Sequence, residues 1–400
     1  MTQILSDQVD RLPEDAGPQD LADLLHRADA TGEPVSSLRG AVNLCLDSEG
    51  PALLVWGDDR RVVYNQAFLD FAPTPPAARF GEALHQGWPE AWAVLGPHLQ
   101  QVFATGQTRW IPKRETVITR HGVQRETSYT CHLSPALDGA GEVRGVHVSI
   151  LDITRGVQLK RRLGTLRRLA ADGVESGSPE VLYDRLAETL GDAHQDIPFS
   201  LLYSAEPRDR RAALRAASGL CGGSSTASQS ISLDDAALWP VVLAASQGTP
   251  VLVDDLPTRF PGLELSCPEA GSVERAFVGV VELGERLPRV VNILGVSNRL
   301  ALDAEYQAFL FDVFRQVSGV LGVVAAARRD REKVANLERA VESNRQIGAA
   351  IGILMMGHKL TEEQAFNTLS RVSQRSNRKL REIADDVVRT GSIALPAAQQ

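Results

Sequence analysis

The chain has 400 residues, of which 43% are hydrophobic and 23% charged, and its formal net charge is −8 at pH 7. This length and composition predict two to four ordinary globular domains, at roughly 100–200 residues each. No apolar run reaches the roughly 20 residues that cross a membrane and no signal peptide opens the chain, so we expect a cytoplasmic protein. The four cysteines form no C-x-x-C pair, which argues against a disulfide framework or a zinc site; they are Cys45, Cys131, Cys221 and Cys267.

The first part of the chain predicts a flexible arm followed by a small sheet. Residues 1–36 are rich in Asp, Glu, Gln, Pro and Gly with one short helical run, Leu21 to Ala30, and we expect a loosely held arm there. Two apolar runs within 52–64 are joined by Gly-Asp-Asp-Arg and predict a β-hairpin. Asn65 can cap the short helix that follows. A longer helix over 90–105 and three alternating apolar–polar runs within 108–153 complete the pattern.

This order of a strand pair, helices and three antiparallel strands resembles a PAS domain. The resemblance is carried by the apolar hairpin that ends at Tyr64 and Asn65, and by Trp88 and Trp92 before the long helix. It implies that residues 37–155 form a sensor domain.

The exit from this segment resembles the Asp-x-Thr motif of PAS sensors. The last strand ends in Asp152-Ile153-Thr154. Thr154 can cap the next helix while Asp152 ties the strand end to the core, so the resemblance implies signal transfer through these two residues. The cofactor stays unknown. The cysteine-bearing helix sequence of flavin-binding members is absent, and His98, where haem-binding members carry a histidine, is a lone histidine of the kind that is more often structural.

A basic helical connector over 156–178 leads into a second mixed segment, 179–326. Its order of a helix, mixed strands and a final helix resembles a GAF domain. The stretches that carry the resemblance are Asp196 to Tyr203, Gly295 to Leu300, and Leu302 to Tyr306 with Phe309. The resemblance implies a second sensor domain. Of the longer Asn-Lys-x-Phe signature of cyclic-nucleotide-binding members only Asn298-Arg299 is present, so cyclic GMP is not indicated.

Residues 303 to about 356 predict one long helix without proline. Its apolar residues step by three and four, which predicts a coiled-coil signalling helix over 304–342 and a parallel homodimer. We call these eight residues the apolar seam: Leu310, Val313, Val317, Val320 and Val324, then Val334, Leu337 and Val341 after a change of phase.

Residues 343–388 predict three helices around a basic junction. The second helix begins with a capping box formed by Thr361 and Gln364. Asn377 is the predicted N-cap of the third helix. Between these two helices, residues 371–381 contain five basic residues and no acidic one, in a chain that is acidic as a whole.

This segment resembles the ANTAR domain of bacterial transcription antiterminators. The matching stretches are IGAAIGILM at 347–355, Thr361 with Ala365 and Phe366, and SQRSNRKLREIA at 373–384. The resemblance implies an RNA-binding domain over 328–390, followed by a tail at 391–400. Family members bind paired RNA hairpins as dimers and thereby prevent an intrinsic terminator from forming. The residues expected to contact RNA are Arg345, Ser373, Arg375, Asn377, Arg378, Lys379 and Arg381.

The whole sequence therefore predicts a multidomain α+β protein with two sensor domains, a coiled-coil helix and an all-α three-helix RNA-binding module. A small molecule is a possible ligand of either sensor domain. No P-loop, G-x-S-x-G or metal-ligand cluster is present, so we do not expect an enzyme. Two alternatives stay open. Three short helices can also form a DNA-binding helix-turn-helix, and a PAS–GAF sensor can act on a partner kinase or phosphatase.

Overall fold

The computed structural model describes residues 11–30, 32–72, 79–120, 122–221, 227–234, 238–267, 271–284 and 287–393. The described part is a mixed α+β chain, as predicted, with two antiparallel sheets and a very long helix. The chain divides into two compact units, one with residues up to 175 together with 180–320, the other with 176–179 and residues from 321 onward. Of the predicted tail, residues 394–400 lie outside the described part.

The first domain is built on a five-stranded antiparallel sheet. Its elements in chain order are α1 (Pro18–Ala30), α2 (Val35–Leu46), β1 (Ala52–Trp56), β2 (Arg61–Tyr64), α3 (Gln66–Phe71), α4 (Leu84–Gly87), α5 (Pro89–Thr105), β3 (Arg109–Arg120), β4 (Val123–Leu137) and β5 (Val143–Asp152). The strand order is β2-β1-β5-β4-β3. Asn65 caps α3 as predicted, because its side-chain oxygen accepts a hydrogen bond from the Phe68 N–H at 2.9 Å.

The described residues from 11 onward belong to this domain, so the prediction of a flexible arm over 1–36 is wrong for them. Helix α1 is amphipathic, and its buried side chains join the core of the first domain; they are Leu21, Leu24, Leu25 and Ala28. Two polar contacts also tie the segment down. The Trp56 Nε1–H donates to Glu33 at 2.8 Å, and the Tyr64 hydroxyl donates to Asp15 at 2.8 Å. The sequence indicates the helical run at 21–30, but it does not show that the apolar face of this helix packs on the core of the domain.

The second domain is built on a six-stranded antiparallel sheet with helices before and after it. Its elements are α6 (Thr154–Glu175), α7 (Pro179–Asp192), β6 (Ser200–Ala205), β7 (Arg211–Ser218), β8 (Ser230–Ser232), α8 (Val241–Gln247), β9 (Val251–Val253), α9 (Leu256–Arg259), β10 (Arg275–Glu282) and β11 (Arg289–Val296). The strand order is β8-β7-β6-β11-β10-β9. The core on one face of the sheet includes Trp239 and Phe260, whose ring centroids are 4.7 Å apart.

Helix α10 (Ala304–His358) begins as part of the second domain. The ring of Phe311 meets Phe277 on β10 edge to face, with 5.4 Å between centroids. Phe314 lies over Gly279, where an added Cβ would come 2.7 Å from the ring. Glycine at this position therefore lets the helix approach the sheet closely.

This packing corrects the prediction for the first five residues of the apolar seam. Leu310, Val313 and Val317 are fully buried within the single chain, and Val320 and Val324 are less than a tenth exposed. An apolar stripe at a spacing of three and four residues serves equally well to pack a helix on its own sheet or on a second helix. Here the single chain already covers these side chains, so they are not available as a seam between two chains.

The later three seam residues are in a different environment. Val334, Leu337 and Val341 are 56%, 67% and 61% exposed, and their spacing places them on one face of α10. A dimer contact through this face stays a prediction.

By length and composition alone, α10 is apolar enough to cross a membrane. The core helix of a soluble domain passes the same test. The complete burial of Leu310, Val313 and Val317 accounts for the apolar composition of its first part.

The C-terminal helices are α11 (Glu362–Ser376) and α12 (Leu380–Thr390), which form a small core with the end of α10. The predicted capping box is present, since Thr361 and Gln364 each accept from the other's backbone N–H. One detail differs from prediction: Asn377 ends α11 in the left-handed conformation (φ 49°) instead of capping α12. Lys359 (φ 52°) takes the left-handed position after α10.

Candidate nucleic-acid interface and sensor cavity

The junction between α11 and α12 is a tight turn held by its own backbone and by one serine. The Arg378 N–H donates to the carbonyl of Ser373 at 3.2 Å, and the Ser373 hydroxyl donates back to the Arg378 carbonyl. Asn377, between them, needs a positive φ, which asparagine tolerates better than most residues. Ser373 therefore holds the turn, and Asn377 is an exposed residue that shapes it.

Three of the predicted RNA-contacting residues are exposed cations at this junction. Arg375, Lys379 and Arg381 project from the last turn of α11, the connecting turn and the first turn of α12. Within the part of the chain that the structure describes, none of the three forms an ion pair, so their charge is not neutralised by a neighbouring carboxylate. Arg371, one turn before Arg375, shares these properties; it was part of the basic run in the sequence but was not among the predicted contacts.

The other two predicted arginines are already engaged. Arg378 lies 2.8 Å from Asp386 and 3.7 Å from Glu382, both on α12. Its hydrogen bond lowers the pKa of the Asp386 carboxyl below the usual value. Arg345, on α10, pairs with Glu342 at 3.1 Å. These pairs are exposed, so they restrain the side chains without removing them from solvent.

The start of α12 adds a second source of positive potential. Lys379 occupies the N-cap position and its side chain makes no capping hydrogen bond. The first N–H groups of a helix have no partner inside the helix, and the helix dipole is positive at this end. An uncapped helix start next to Lys379 and Arg381 favours an anion such as a phosphate.

The first domain contains a cavity of about 430 Å³ between α3, α5 and the sheet. Its walls are mostly apolar and aromatic; they include Leu53, Phe68, Phe71, Trp88, Val94, Leu95, Val117, Ile118, Tyr129, Cys131 and Ile150. Burial raises the pKa of the Cys131 thiol to about 12, so this group is neutral near pH 7 and behaves as a small apolar side chain. His98 does not line the cavity.

At the exit of the first domain, Asp152 and Thr154 make different contacts from those that the sequence predicts. The Thr154 N–H donates to the Asp152 carboxylate at 2.8 Å, and the Thr154 hydroxyl accepts from the Ser128 N–H at 2.8 Å. Thr154 thus joins the start of α6 to strand β4. Asp152 is exposed and bonds to this helix start, not to the core. Among the described residues, no group of three or more His, Cys, Asp and Glu side chains is placed to hold a metal ion.

Comparison with known families places two of the three predicted domains. Residues 335–388 match the ANTAR domain, and residues 46–158 match the PAS fold. The recognised ANTAR segment contains the basic junction, and the recognised PAS segment contains the cavity. No curated protein matches the chain in sequence.

Among solved structures, the chain is similar to the GAF domain of a phosphoenolpyruvate-protein phosphotransferase from Acinetobacter, at 18% identity and a TM-score of 0.30, covering 41% of this chain and 94% of that one. It is similar to the corresponding GAF domain from Coxiella burnetii at 15% identity and a TM-score of 0.32, covering 44% and 98%. Free methionine-R-sulfoxide reductase from Neisseria meningitidis, solved with its substrate, is similar at 14% identity and a TM-score of 0.30, covering 42% and 91%. Structural similarity at these identities and TM-scores does not establish a function for this chain.

Proposed function

We propose that this chain, which carries a PAS domain, a GAF-like domain and an ANTAR domain, is a signal-regulated RNA-binding protein that promotes transcription antitermination. It acts in the cytoplasm on hairpins in nascent transcripts, and it is not an enzyme. The observation that carries the proposal is the set of exposed cations at the α11–α12 junction, Arg375, Lys379 and Arg381, which have no ion-pair partner among the residues that the structure describes. Cations that are free of carboxylate partners can replace the counterions of nucleic-acid phosphates, which is the main source of such affinity.

The shape of the junction favours RNA hairpins over duplex DNA. Hairpin loops present unstacked bases and closely spaced phosphates, which suit guanidinium forks and amide groups on a compact turn. The recognition helix of a helix-turn-helix lies in the major groove, close to DNA phosphates. Helix α12 carries Glu382, Asp385 and Asp386, whose negative charges oppose such an approach.

Dimerisation is assigned to the exposed face of α10 formed by Val334, Leu337 and Val341. Each side chain is more than half exposed, and a second copy of the same face would cover all three. A dimer would place two ANTAR junctions in one particle. Paired hairpins would then bind more tightly than a single hairpin, because the second contact becomes intramolecular.

Sensing is assigned in part to the cavity of the PAS domain. Its volume of about 430 Å³ and its apolar and aromatic walls suit a small, largely apolar molecule. The neutral thiol of Cys131 contributes packing and not a nucleophile.

A competition experiment tests the choice between RNA and DNA. The full chain is bound to a fluorescent RNA with two adjacent hairpins, and unlabelled competitors are added at matched phosphate concentration. The same RNA should displace the probe at a concentration at least about tenfold lower than duplex DNA does, since only RNA presents loop bases to the junction. A single hairpin should compete less well than the pair. Equal competition by duplex DNA would favour the DNA-binding alternative.

A further inference from the structure

A buried cluster of four charges joins the PAS domain to the GAF-like domain. Arg161 on α6 is its centre. Its guanidinium donates twice to Glu126 on β4, at 2.8 and 3.2 Å, and twice to Asp196 in the turn after α7, at 2.6 and 3.1 Å. The neighbouring Arg162 donates to the same Asp196 carboxylate at 3.0 Å. We call these four residues the charge cluster.

The cluster is balanced and shielded from water. Its two arginines and two carboxylates sum to zero charge, and the side chains are between 0% and 20% exposed, with Asp196 fully buried. In such a setting each charge depends on its partners, because a buried charge that loses its partner is poorly compensated. Substitution of one residue of the charge cluster is therefore expected to alter the contacts of the other three.

The cluster also reaches the start of α10. The Tyr306 hydroxyl, in the first turn of that helix, donates to the backbone carbonyl of Asp196 and accepts from the Ser297 N–H at 3.0 Å. The guanidinium of Arg162 lies 4.7 Å from the centre of the Tyr306 ring. Asp196 thus connects both arginines of α6 to the helix that continues into the ANTAR domain.

On the other side, the cluster lies next to the wall of the PAS cavity. Thr116 and Val117 on β3 line the cavity of about 430 Å³, and they also line a second cavity of about 200 Å³ that Glu126 shares. In the β3–β4 ladder, Val117 is the direct partner of Glu126. A molecule in the PAS cavity that displaces Val117 therefore acts on the strand residue that holds Arg161.

We propose that the charge cluster couples the occupancy of the PAS cavity to the packing of the first turns of α10. The coupling path runs from Val117 to Glu126, then through Arg161 and Asp196 to Tyr306. Its meaning as signal transfer rests on the proposed function, but the coupling itself is a property of the PAS and GAF-like domains and needs no RNA.

The first test uses hydrogen–deuterium exchange of the full chain. Glu126→Gln leaves Arg161 with one carboxylate partner instead of two. It should speed amide exchange at the start of α10, around Tyr306, by about threefold or more, although the substitution is in another domain. Glu115→Gln is the matched control. Glu115 lines the same small cavity and pairs with Lys113, outside the cluster, so the control should leave α10 unchanged.

The second test replaces the unidentified ligand by a larger side chain. Val94→Phe adds volume to the PAS cavity, and Ala91→Leu serves if that variant does not fold. In a chain that keeps Glu126, the cavity-filling substitution should change the rate of amide exchange at the start of α10 by about twofold or more. This change should be lost when Glu126→Gln is added. Far-ultraviolet circular dichroism checks the fold of each variant.

Three results would overturn the proposal. The first is that Glu126→Gln changes amide exchange only in β3 and β4. The second is that Glu115→Gln changes exchange at the start of α10 as much as Glu126→Gln does. The third is that filling the cavity leaves exchange at the start of α10 unchanged, or still changes it when Glu126→Gln is present. Hairpin binding by the same variants is measured separately. If the chain does not bind RNA but the exchange results are as expected, the proposed function is wrong and the coupling through the charge cluster stands.

Discussion

Val317→Asp is expected to unfold the second domain. Val317 is fully buried within the single chain, on the face of α10 that packs in the second domain. A carboxylate placed there has no partner to compensate it, and the cost should be about 4 kcal/mol or more, a large part of the stability of a typical domain. Urea denaturation followed by circular dichroism should show the loss of a folding transition, and light scattering should show aggregated or expanded protein.

Leu337→Asp is the matched control for this prediction. It introduces the same charge on the same helix, but Leu337 is 67% exposed. The variant should therefore keep its urea midpoint and, if the exposed face forms the dimer contact, become monomeric at micromolar concentration. A Val317→Asp variant that stays folded and only dissociates would show that the first part of α10 is an intermolecular seam after all.

The second large effect is expected at the ANTAR junction. Replacing Arg375, Lys379 and Arg381 together by alanine should weaken hairpin binding by about a hundredfold or more, since each lost charged contact contributes roughly 1–2 kcal/mol. The slope of log affinity against log salt should fall by about 2, as expected for three lost phosphate contacts to single-stranded RNA. Fluorescence anisotropy over a salt series measures both quantities.

Two features make this variant easy to interpret. The three side chains are exposed and form no ion pair among the described residues, so their removal should leave the fold intact. Arg378→Ala would be less clear, because it also breaks the pairs with Asp386 and Glu382. The control is Lys333→Ala with Arg339→Ala, earlier on α10, which should change affinity little. Equal losses in the two variants would mean that binding is diffuse electrostatics.

Local sequence signals predicted the parts of the fold that depend on neighbours in the chain. The caps at Asn65 and Thr361 were found because the capping residue and its partner are three positions apart. The basic junction is predicted because its five cations lie within the short stretch 371–381. For Asn377 the prediction is wrong, because asparagine is favoured both before a helix and in the left-handed position after one, and sequence alone does not separate the two.

Features that depend on distant contacts were not predicted. Arg161 and Asp196 are 35 positions apart, and Tyr306 is a further 110 positions from Asp196, so no local pattern marks the charge cluster. The prediction of a coiled-coil contact through the first five residues of the apolar seam is wrong for a related reason. The spacing shows that one face of α10 is apolar, but it does not show whether that face meets a sheet of the same chain or a second chain.

The most direct test of RNA recognition by the junction is crosslinking of the full chain to RNA in cells, followed by sequencing of the bound transcripts. We expect recovery of transcripts with two adjacent hairpins upstream of a terminator, with crosslinks in the loops. The variant lacking Arg375, Lys379 and Arg381 should recover few of them, while the control variant at Lys333 and Arg339 should recover the same set as the parent. Recovery of no hairpin-containing RNA, or of the same set by the junction variant, would contradict RNA recognition by this site.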